Sequence, residues 1–535
     1  MPSSYIHMRF PGAVIRLVDL RSIDSVSSFP LMKILSLVAF ISLCSPALGI
    51  GGAMQGLEDA MEIQRQQMER LHDFLGPISD PGGLPKRQPD SPTISFSNPK
   101  AAKFFVDGTK IPDVNFDAGP SWSGLMPISA DPKETRKLFF WFWPTSNASN
   151  ANELLFWTNG GPGCSSLEGF LQENGPISWS WGQSEPTPNP FSWTNLAHVL
   201  WVEQPVGTGF SQGTPNITND DELAEQLTGF LEQFLEVFSE LKGKDFYLSG
   251  ENVPYIANWI YEHPGLDLDL KGIWIADPSL TYGVVQQEIP ALRFAQAHAD
   301  LFPFNTSFWN TLQNISDTCG YTDYLDKFVT YPPAGQLPFP AGVIEGTLGT
   351  VQASCRIHSP IQRAVGVLNP VFDVYRVSDT FPNLWSVLGF PRSTQQFIYF
   401  NRLNAIHAPH ITWNSCANNN VYAGNGRDNS VASTLSVLPN VIEKSVRTVI
   451  VHGLADFILV AEGTRIAIQN MTWGGAQGFQ TAIEPESFRV ENFGVFGIPI
   501  RNFFYSGHMT PQFVPWAAFS TISFLLGRQE LPSNG

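Results

Sequence analysis

Charged residues are scarce in this chain, and basic residues are the smaller part of them. Of 535 residues, 15% are charged, with 31 Lys and Arg against 48 Asp and Glu, so the formal net charge is −17. A nucleic-acid-binding surface of clustered Lys and Arg is therefore not expected. Apolar residues are plentiful instead, because 43% of the chain is hydrophobic and 13% is aromatic, which is enough for a large core.

Motifs for metal or nucleotide chemistry are also missing. No His-x-x-Glu occurs, and the close histidine pair His407 and His410 has a proline between its members, which favours a loop over the face of a metal-binding helix. No Gly-x-x-x-x-Gly-Lys-Ser/Thr phosphate loop is present. We therefore expect neither a metal nor another cofactor, and zinc-peptidase chemistry is excluded.

The apolar run near the N-terminus is too short to span a bilayer. This run, 34–43, follows Lys33 and ends at the small residues of Ser-Pro-Ala-Leu-Gly, the pattern of a secretory signal. We predict a signal peptide at 32–49, an extra N-terminal extension at 1–31, and a secreted or vacuolar protein without a membrane anchor. A buried apolar helix is the alternative.

Cysteines are few, and none forms a Cys-x-x-Cys pair. Five are present, and Cys44 lies within the predicted signal. In a secreted chain the other four favour two disulfides over a metal site, with three pairings possible. These four are Cys164, Cys319, Cys355 and Cys416. Sequons fit the same secretory route and predict glycosylation at Asn147, Asn216, Asn305, Asn314 and Asn470.

Composition divides the chain after the predicted signal. Apolar residues at near-heptad spacing over 55–75 predict an amphipathic helix, which the Pro- and Gly-rich stretch 76–89 ends. Lys86 and Arg87 lie in that stretch. Residues 50–87 are therefore a possible pro-segment released after a dibasic site, and an ordinary exposed basic pair is the alternative.

From residue 88 onward, short β-prone runs alternate with helical spacing. This alternation indicates an α/β fold with a mostly parallel central sheet flanked by helices. Strands are predicted at 138–143, 154–158, 199–202, 246–249, 272–275 and 448–451, and helices at 220–241 and 255–261. Residues 282–402 lose the alternation and are interpreted as an inserted cap within one domain, 88–535.

Two features in loops after predicted strands suit catalysis. The turn Asn-Gly-Gly-Pro-Gly at 159–163 lets backbone N–H groups approach a developing negative charge, although a tight structural turn is the alternative. Asp456 follows the strand at 448–451, and His508 lies in a later loop among small and turn-forming residues. That order of acid and base matches α/β-hydrolase triads.

Five segments in this order resemble the serine carboxypeptidase family. They are WTNGGPGCSS at 157–166, ENGP at 173–176, VEQPVGTGFS at 202–211, HGLAD at 452–456 and SGHM at 506–509. The similarity extends over about 96–525. It implies an α/β-hydrolase fold with a cap, and a secreted or vacuolar hydrolase that releases C-terminal amino acids from peptides or proteins through an acyl-enzyme.

The resemblance also implies roles for residues of this chain. Asp456 and His508 match the triad acid and base, and Gly161 matches the donor of an oxyanion N–H. The substrate's terminal carboxylate would be held by Asn159, Gly160, Glu173 and Glu251. Glutamates beside a carboxylate share protons and have raised pKa values, so we expect binding to be strongest in acid. The implied disulfides are Cys164–Cys416 and Cys319–Cys355.

The resemblance fails at the nucleophile. Family members have Gly-Glu-Ser-Tyr-Ala-Gly-x-Tyr-Val-Pro after the strand, whereas this chain has Gly-Glu, then Asn252, then Val-Pro. Five residues are missing, including the serine and the residue whose N–H completes the oxyanion hole. The amide of Asn252 is not an acyl acceptor, and we do not expect Ser249, Ser165 or Ser166 to replace the serine. The start of the helix at 255–261 should be displaced or unwound.

Three hypotheses account for this gap. A mis-set splice boundary removed the segment from an ordinary serine carboxypeptidase, or the protein is a catalytically dead homologue that binds peptide C-termini, or the product does not fold. Loss of a triad serine costs on the order of 10⁶ in kcat, and loss of an oxyanion donor roughly another 3 kcal/mol. The chain as written is expected not to hydrolyse peptides, and its oligomeric state is left open.

Overall fold

The computed structural model describes residues 15–17, 94–112, 114–179, 186–250, 252–347, 349–369, 372–379, 405–417, 421–423, 428–482 and 506–529. These residues lie in one of two compact units of the chain, which comprises 1–19 and 85–535. The other unit, 20–84, lies outside the described residues. The predicted signal peptide, the helix at 55–75 and the basic pair at 86–87 therefore remain predictions.

In the described part of the chain, a nine-stranded sheet forms the centre of the domain. Its order is β1-β11-β10-β9-β5-β8-β4-β3-β2, parallel from β8 to β1 and antiparallel from β8 to β2. The strands are β1 (Ile15–Leu17), β2 (Phe105–Val106), β3 (Ser121–Pro127), β4 (Lys137–Trp143), β5 (Glu153–Thr158), β8 (His198–Glu203), β9 (Asp245–Gly250), β10 (Asp269–Ala276) and β11 (Arg447–Val451). Two short hairpins pair β6 (Ile177–Ser178) with β7 (Thr187–Pro188) and β12 (Thr472–Trp473) with β13 (Ala476–Gln477).

Helices and helical turns cover the sheet. The α-helices are α1 (Ser166–Gly169), α2 (Asp220–Val237), α3 (Val253–Glu262), α4 (Ile289–Ala297), α5 (Thr306–Cys319), α6 (Tyr324–Phe328), α7 (His358–Leu368), α8 (Leu438–Lys444), α9 (Ala461–Asn470), α10 (Thr510–Phe513) and α11 (Pro515–Leu525). Two π-helical turns lie at Phe170–Asn174 and Val284–Glu288. The 3₁₀ turns are Pro99–Phe104, Ala148–Asn150, Trp193–Asn195, Ser239–Leu241, Ala353–Cys355 and Ser433–Leu435.

The central strands are apolar on both faces because helices and helical turns cover both faces of the sheet. Successive side chains of a strand point to opposite faces. In β4, Trp141 stacks on Phe170 at 4.4 Å on one face, and Phe140 contacts Phe234 of α2 at 5.2 Å on the other. Each such buried ring stabilises the fold by about 1.5–3 kcal/mol, so these aromatic runs hold the sheet between its layers.

The predicted cap region contains a second apolar core built from helices. Helices α4, α5 and α7 contribute buried residues that pack together with Phe457 of the loop after β11. A disulfide joins Cys319, at the end of α5, to Cys355. The core of the cap is therefore continuous with the loop that carries Asp456.

The fold class predicted from the sequence is confirmed, and each predicted strand is present with its ends shifted by a few residues. Helix α2 ends at Val237, and Ser239–Leu241 continue as a 3₁₀ turn instead of the single helix predicted over 220–241. The antiparallel strands β2 and β3 were not predicted, because Ser-Trp-Ser-Gly-Leu-Met-Pro lacks β-branched residues and includes glycine and proline. Among the described helices, none has both the length and the hydropathy needed to cross a bilayer.

Candidate functional site

The carboxyl ends of four parallel strands meet at one edge of the sheet. Thr158 of β5 pairs with Gly250 of β9, and Ala276 of β10 pairs with Val451 of β11. Gly250 has a φ of 123°, and a Cβ there would lie 1.9 Å from the Thr158 carbonyl oxygen, so only glycine fits. Ligands of open α/β sheets bind in loops at this edge.

The predicted acid and base contact each other at this edge. Asp456 is fully buried, and its Oδ2 accepts a hydrogen bond from His508 Nδ1 at 2.9 Å. Its Oδ1 accepts bonds from the N–H groups of Ile458 at 2.8 Å and Leu459 at 3.1 Å. These donors fix the carboxylate, which holds the imidazole with its proton on Nδ1 and leaves Nε2 as the basic nitrogen.

Residues 372–379, within the predicted cap region, join the two loops that carry this pair. His508 N–H donates to the Tyr375 carbonyl at 2.7 Å, and Val377 N–H donates to the Ala455 carbonyl at 2.9 Å. A Cβ on Gly507 would lie 2.1 Å from the Tyr375 carbonyl oxygen, which excludes larger residues. Residues 372–379 thus position both loops, a role that no sequence pattern indicated.

A second buried carboxyl lies beside the pair. Within the described part of the chain, one cluster has side-chain atoms close enough together to bind a metal ion. It consists of Asp277, His452 and Asp456, whose potential ligand atoms lie within 4.8 Å of one another. However, His452 Nε2 donates to the Leu459 carbonyl at 2.6 Å, so this nitrogen has no lone pair for a cation. Burial lowers the pKa of His452 and keeps it neutral. The cluster is therefore explained by hydrogen bonding.

The glycine turn follows β5, as predicted. Gly161 is exposed and has a φ of 112°. Asn159 is 9% exposed, and its Oδ1 accepts a hydrogen bond from Trp157 Nε1 at 2.7 Å. Its backbone N–H donates to Ser166 Oγ at 3.1 Å. The side-chain Nδ2 of Asn159 is therefore the group that could donate a hydrogen bond to a substrate carboxylate.

A disulfide fixes the glycine turn from outside the sheet. Cys164 is bonded to Cys416, which lies 252 residues further along the chain. Ala417 N–H donates to the Gly163 carbonyl at 2.8 Å, and Cys164 N–H donates to the Gly160 carbonyl at 3.0 Å. Contacts from Cys416 and Ala417 thus hold the shape of the turn.

Glu173 lies near the loop of the histidine. It is 6% exposed in the π-helical turn Phe170–Asn174, which packs against α10, two residues after His508. Gln172 is 7% exposed, and neither its Oε1 nor its Nε2 has a hydrogen-bond partner among the described residues. No sequence motif marks Gln172 as a site residue. Glu251, the other predicted glutamate, lies outside the described residues.

The serines nearest the gap are buried and hydrogen-bonded. The Oγ of Ser249 donates to a carbonyl of β5, and that of Ser166 to a carbonyl of β8 at 2.6 Å. Ser165 donates to the carboxyl group of Glu203. All three serines are fully buried, so none presents its hydroxyl to a substrate.

Two residues, Glu251 and Asn252, connect strand β9 to helix α3 at the position of the missing segment. Strand β9 ends at Gly250 and α3 begins at Val253, with Asn252 at the N-cap position making no capping bond. Asn252 Nδ2 is buried without a partner in the described structure, which costs about 1–3 kcal/mol. Val253 and Ile256 are nevertheless fully buried in the main core. The start of the helix is therefore not unwound, and it packs as part of the domain.

Two buried glutamates lie behind the glycine turn, and the sequence did not mark either as functional. Glu203 accepts hydrogen bonds from Phe210 N–H at 2.6 Å and from Trp413 Nε1 at 3.2 Å. Burial raises the pKa of Glu203 to about 7. Burial, and then the charge of Glu203, raise the pKa of Glu168 to about 8. In the folded protein both carboxyls hold their protons well above the ordinary range.

These raised pKa values predict a protein that is more stable in acid. Each carboxyl is protonated in the folded state and ionised in the unfolded state at pH values between its ordinary and its raised pKa. The free energy of unfolding should then fall by about 1.4 kcal/mol per pH unit and per carboxyl as pH rises through this window, up to about pH 7 for Glu203 and about pH 8 for Glu168. Denaturant unfolding from about pH 6.5 to about pH 8 measures this slope.

Glu168→Gln, a mimic of the protonated carboxyl, should remove its share of the slope. Glu232→Gln, at an exposed position of α2, is the matched control and should leave the slope unchanged. Equal slopes in the wild type and Glu168→Gln would contradict the assignment.

A family model described as serine carboxypeptidase matches residues 112–318 and 391–527. A probable serine carboxypeptidase of Arthroderma benhamiae is 40% identical over 82% of this chain and 88% of its own length. Serine-type carboxypeptidase F of Aspergillus niger is 36% identical over 92% of this chain and 98% of its own length. The similarity therefore covers nearly the whole chain.

A solved structure is similar in fold. The crystal structure of a prohormone-processing carboxypeptidase from Saccharomyces cerevisiae aligns with a TM-score of 0.61 at 19% identity, over 81% of this chain and 98% of that one. At this identity the likeness shows the fold, which agrees with the α/β architecture described above.

Proposed function

The chain belongs to the serine carboxypeptidase family, and on this premise we propose that its site is built to bind the C-terminal carboxylate of a peptide and, given a serine at the gap, to release the last amino acid. The main support for this proposal is the hydrogen bond of 2.9 Å between Asp456 and His508 at the carboxyl edge of the sheet. The Nδ2 donor of Asn159 and the buried Glu173, whose π-helical turn packs against α10, support the carboxylate site.

The reaction proposed for this site is acyl transfer. His508 Nε2 takes the proton of a serine as it attacks the peptide carbonyl and returns it to the leaving amino acid, while Asp456 stabilises the imidazolium. The N–H of Gly161 faces the oxyanion. Without the serine these groups lack a nucleophile, so we propose that the chain as written binds peptides without hydrolysing them.

We expect the purified protein to bind a peptide with a free C-terminus at least about tenfold more tightly than the same peptide with a C-terminal amide, because the amide removes a desolvated charge. Binding should weaken as pH rises, since an ionised Glu173 would repel the substrate carboxylate. Fluorescence polarisation with a labelled peptide, from acidic to neutral pH, measures both effects.

Glu173→Gln should flatten this pH dependence, whereas Glu232→Gln, an exposed change, should not. Equal affinity for the acid and the amide would contradict the carboxylate site. A fluorophosphonate probe should leave the protein unlabelled, and serine-specific labelling would show that a nucleophile remains.

A mis-set splice boundary is the second candidate, supported by the otherwise complete set of residues around the gap. Under this hypothesis the gene encodes an active carboxypeptidase. Sequencing the transcript across the codons for 250–253 tests it, because a message that encodes Asn252 directly after Glu251 rules it out.

The secretory route is also part of this proposal. Two disulfides and sequons on the surface support it. Four of the predicted glycosylation sites are exposed, namely Asn147, Asn216, Asn305 and Asn314, whereas Asn470 is half-buried and its Oδ1 accepts a hydrogen bond from Leu337 N–H at 2.8 Å. A secretory or vacuolar compartment with acidic pH would suit the carboxylate site.

A further inference from the structure

We propose that Asp277 is a positioning residue that fixes the Asp456 loop and the His508 loop relative to each other. It directly follows β10 and is fully buried. Its φ of 44° lies in the left-handed region, which is unusual for a residue other than glycine. Backbone strain of this kind persists where surrounding contacts fix it, and it is concentrated at functional sites.

The carboxyl group of Asp277 connects the two loops directly. Its Oδ1 accepts a hydrogen bond from Gly453 N–H at 2.6 Å, three residues before Asp456. Its Oδ2 accepts one from Thr510 Oγ1 at 2.6 Å, two residues after His508. One side chain thus anchors both members of the pair from the neighbouring strand end.

The backbone of Asp277 adds a third connection, since its N–H donates to the Val451 carbonyl at 2.9 Å, at the end of β11. The ionisable groups that face it are Asp456, His452 and His508. Burial and the charge of Asp456 raise the pKa of Asp277 well above its ordinary value.

The test is the downfield proton resonance of the hydrogen bond between His508 Nδ1 and Asp456, recorded on the full chain and assigned by its loss in His508→Ala. Asp277→Ala should abolish or broaden this resonance in protein that remains folded by circular dichroism. Asp277→Asn, whose amide oxygen can accept from Gly453 N–H and whose NH₂ can donate to Thr510 Oγ1, should retain it. Thr510→Val, which removes one tether, should shift it.

Thr521→Val is the matched control. It removes a buried hydrogen bond of 2.9 Å between Thr521 Oγ1 and Trp274 Nε1 of the same strand, β10, without touching either loop. It should lower stability and leave the resonance unchanged. An unchanged resonance in folded Asp277→Ala would overturn the proposal. If Asp277→Ala is unfolded, Thr510→Val decides, and an unchanged resonance in that variant would overturn it.

The inference rests on the proposed function in taking Asp456 and His508 as acid and base. The resonance is read without peptide, so the two can fail separately. Absence of peptide binding with the expected resonance pattern would refute only the proposed function, whereas peptide binding with an unchanged resonance in Asp277→Ala would refute only the positioning role.

Discussion

Replacement of Asn252 by Ser-Tyr-Ala-Gly-Ala-Tyr should raise the rate of release of C-terminal amino acids by about 10⁶-fold over the chain as written. The insert restores the serine and the following N–H of the oxyanion hole to a site whose acid and base are already in contact at 2.9 Å. The measurement is release of the last residue from a blocked dipeptide at acidic pH, together with labelling by a fluorophosphonate.

The matched control carries Ala in place of the inserted serine and has the same backbone length. It should fold like the restored chain and stay inactive. If the serine-containing chain folds, as shown by its thermal transition, but its release rate rises by less than about tenfold, then the missing segment is not the cause of the inactivity. Equal activity of both inserts would mean that a different nucleophile operates.

Asp456→Asn in the restored chain should lower kcat by about 10⁴-fold. The carboxylate accepts hydrogen bonds from His508 Nδ1–H and from two backbone N–H groups. An amide of the same shape can donate to the imidazole instead, which selects the wrong tautomer. The pre-steady-state burst of the first product reports acylation and should slow by the same factor.

Glu203→Gln in the restored chain provides the comparison, because Glu203 is also fully buried and hydrogen-bonded but belongs to the support of the glycine turn. It should cost far less than Asp456→Asn. A loss of less than about tenfold on Asp456→Asn would exclude Asp456 as the triad acid.

The sequence predicted the sheet well because its central strands are continuous apolar runs. The run at 138–143 is buried on both faces, and such runs have few alternatives in a soluble protein. Strand β3 was missed because its stability comes from pairing with β4 and not from its own composition. Strands of this kind depend on a neighbour that only the tertiary structure supplies.

The site was predicted in part for a similar reason. Asp456 and His508 lie in motifs, whereas Asp277 lies at the end of a predicted strand with no motif, and its importance depends on two contacts from loops more than 170 residues away. Residues 372–379 belong to the irregular part of the predicted cap, where no periodicity indicates which loop they contact. Contacts between loops are set by packing, which sequence patterns do not encode.

Helix α3 begins three residues after Gly250 and still buries Val253 and Ile256 completely. The lifetime of a protein in the cell depends on the population of unfolded molecules rather than on its chemistry. This helix leaves no apolar face uncovered at those positions, so an inactive product should still fold and persist in the cell. Where inactive and active proteins are made in the same compartment, the inactive chain would bind peptide C-termini that the active proteins would otherwise cleave.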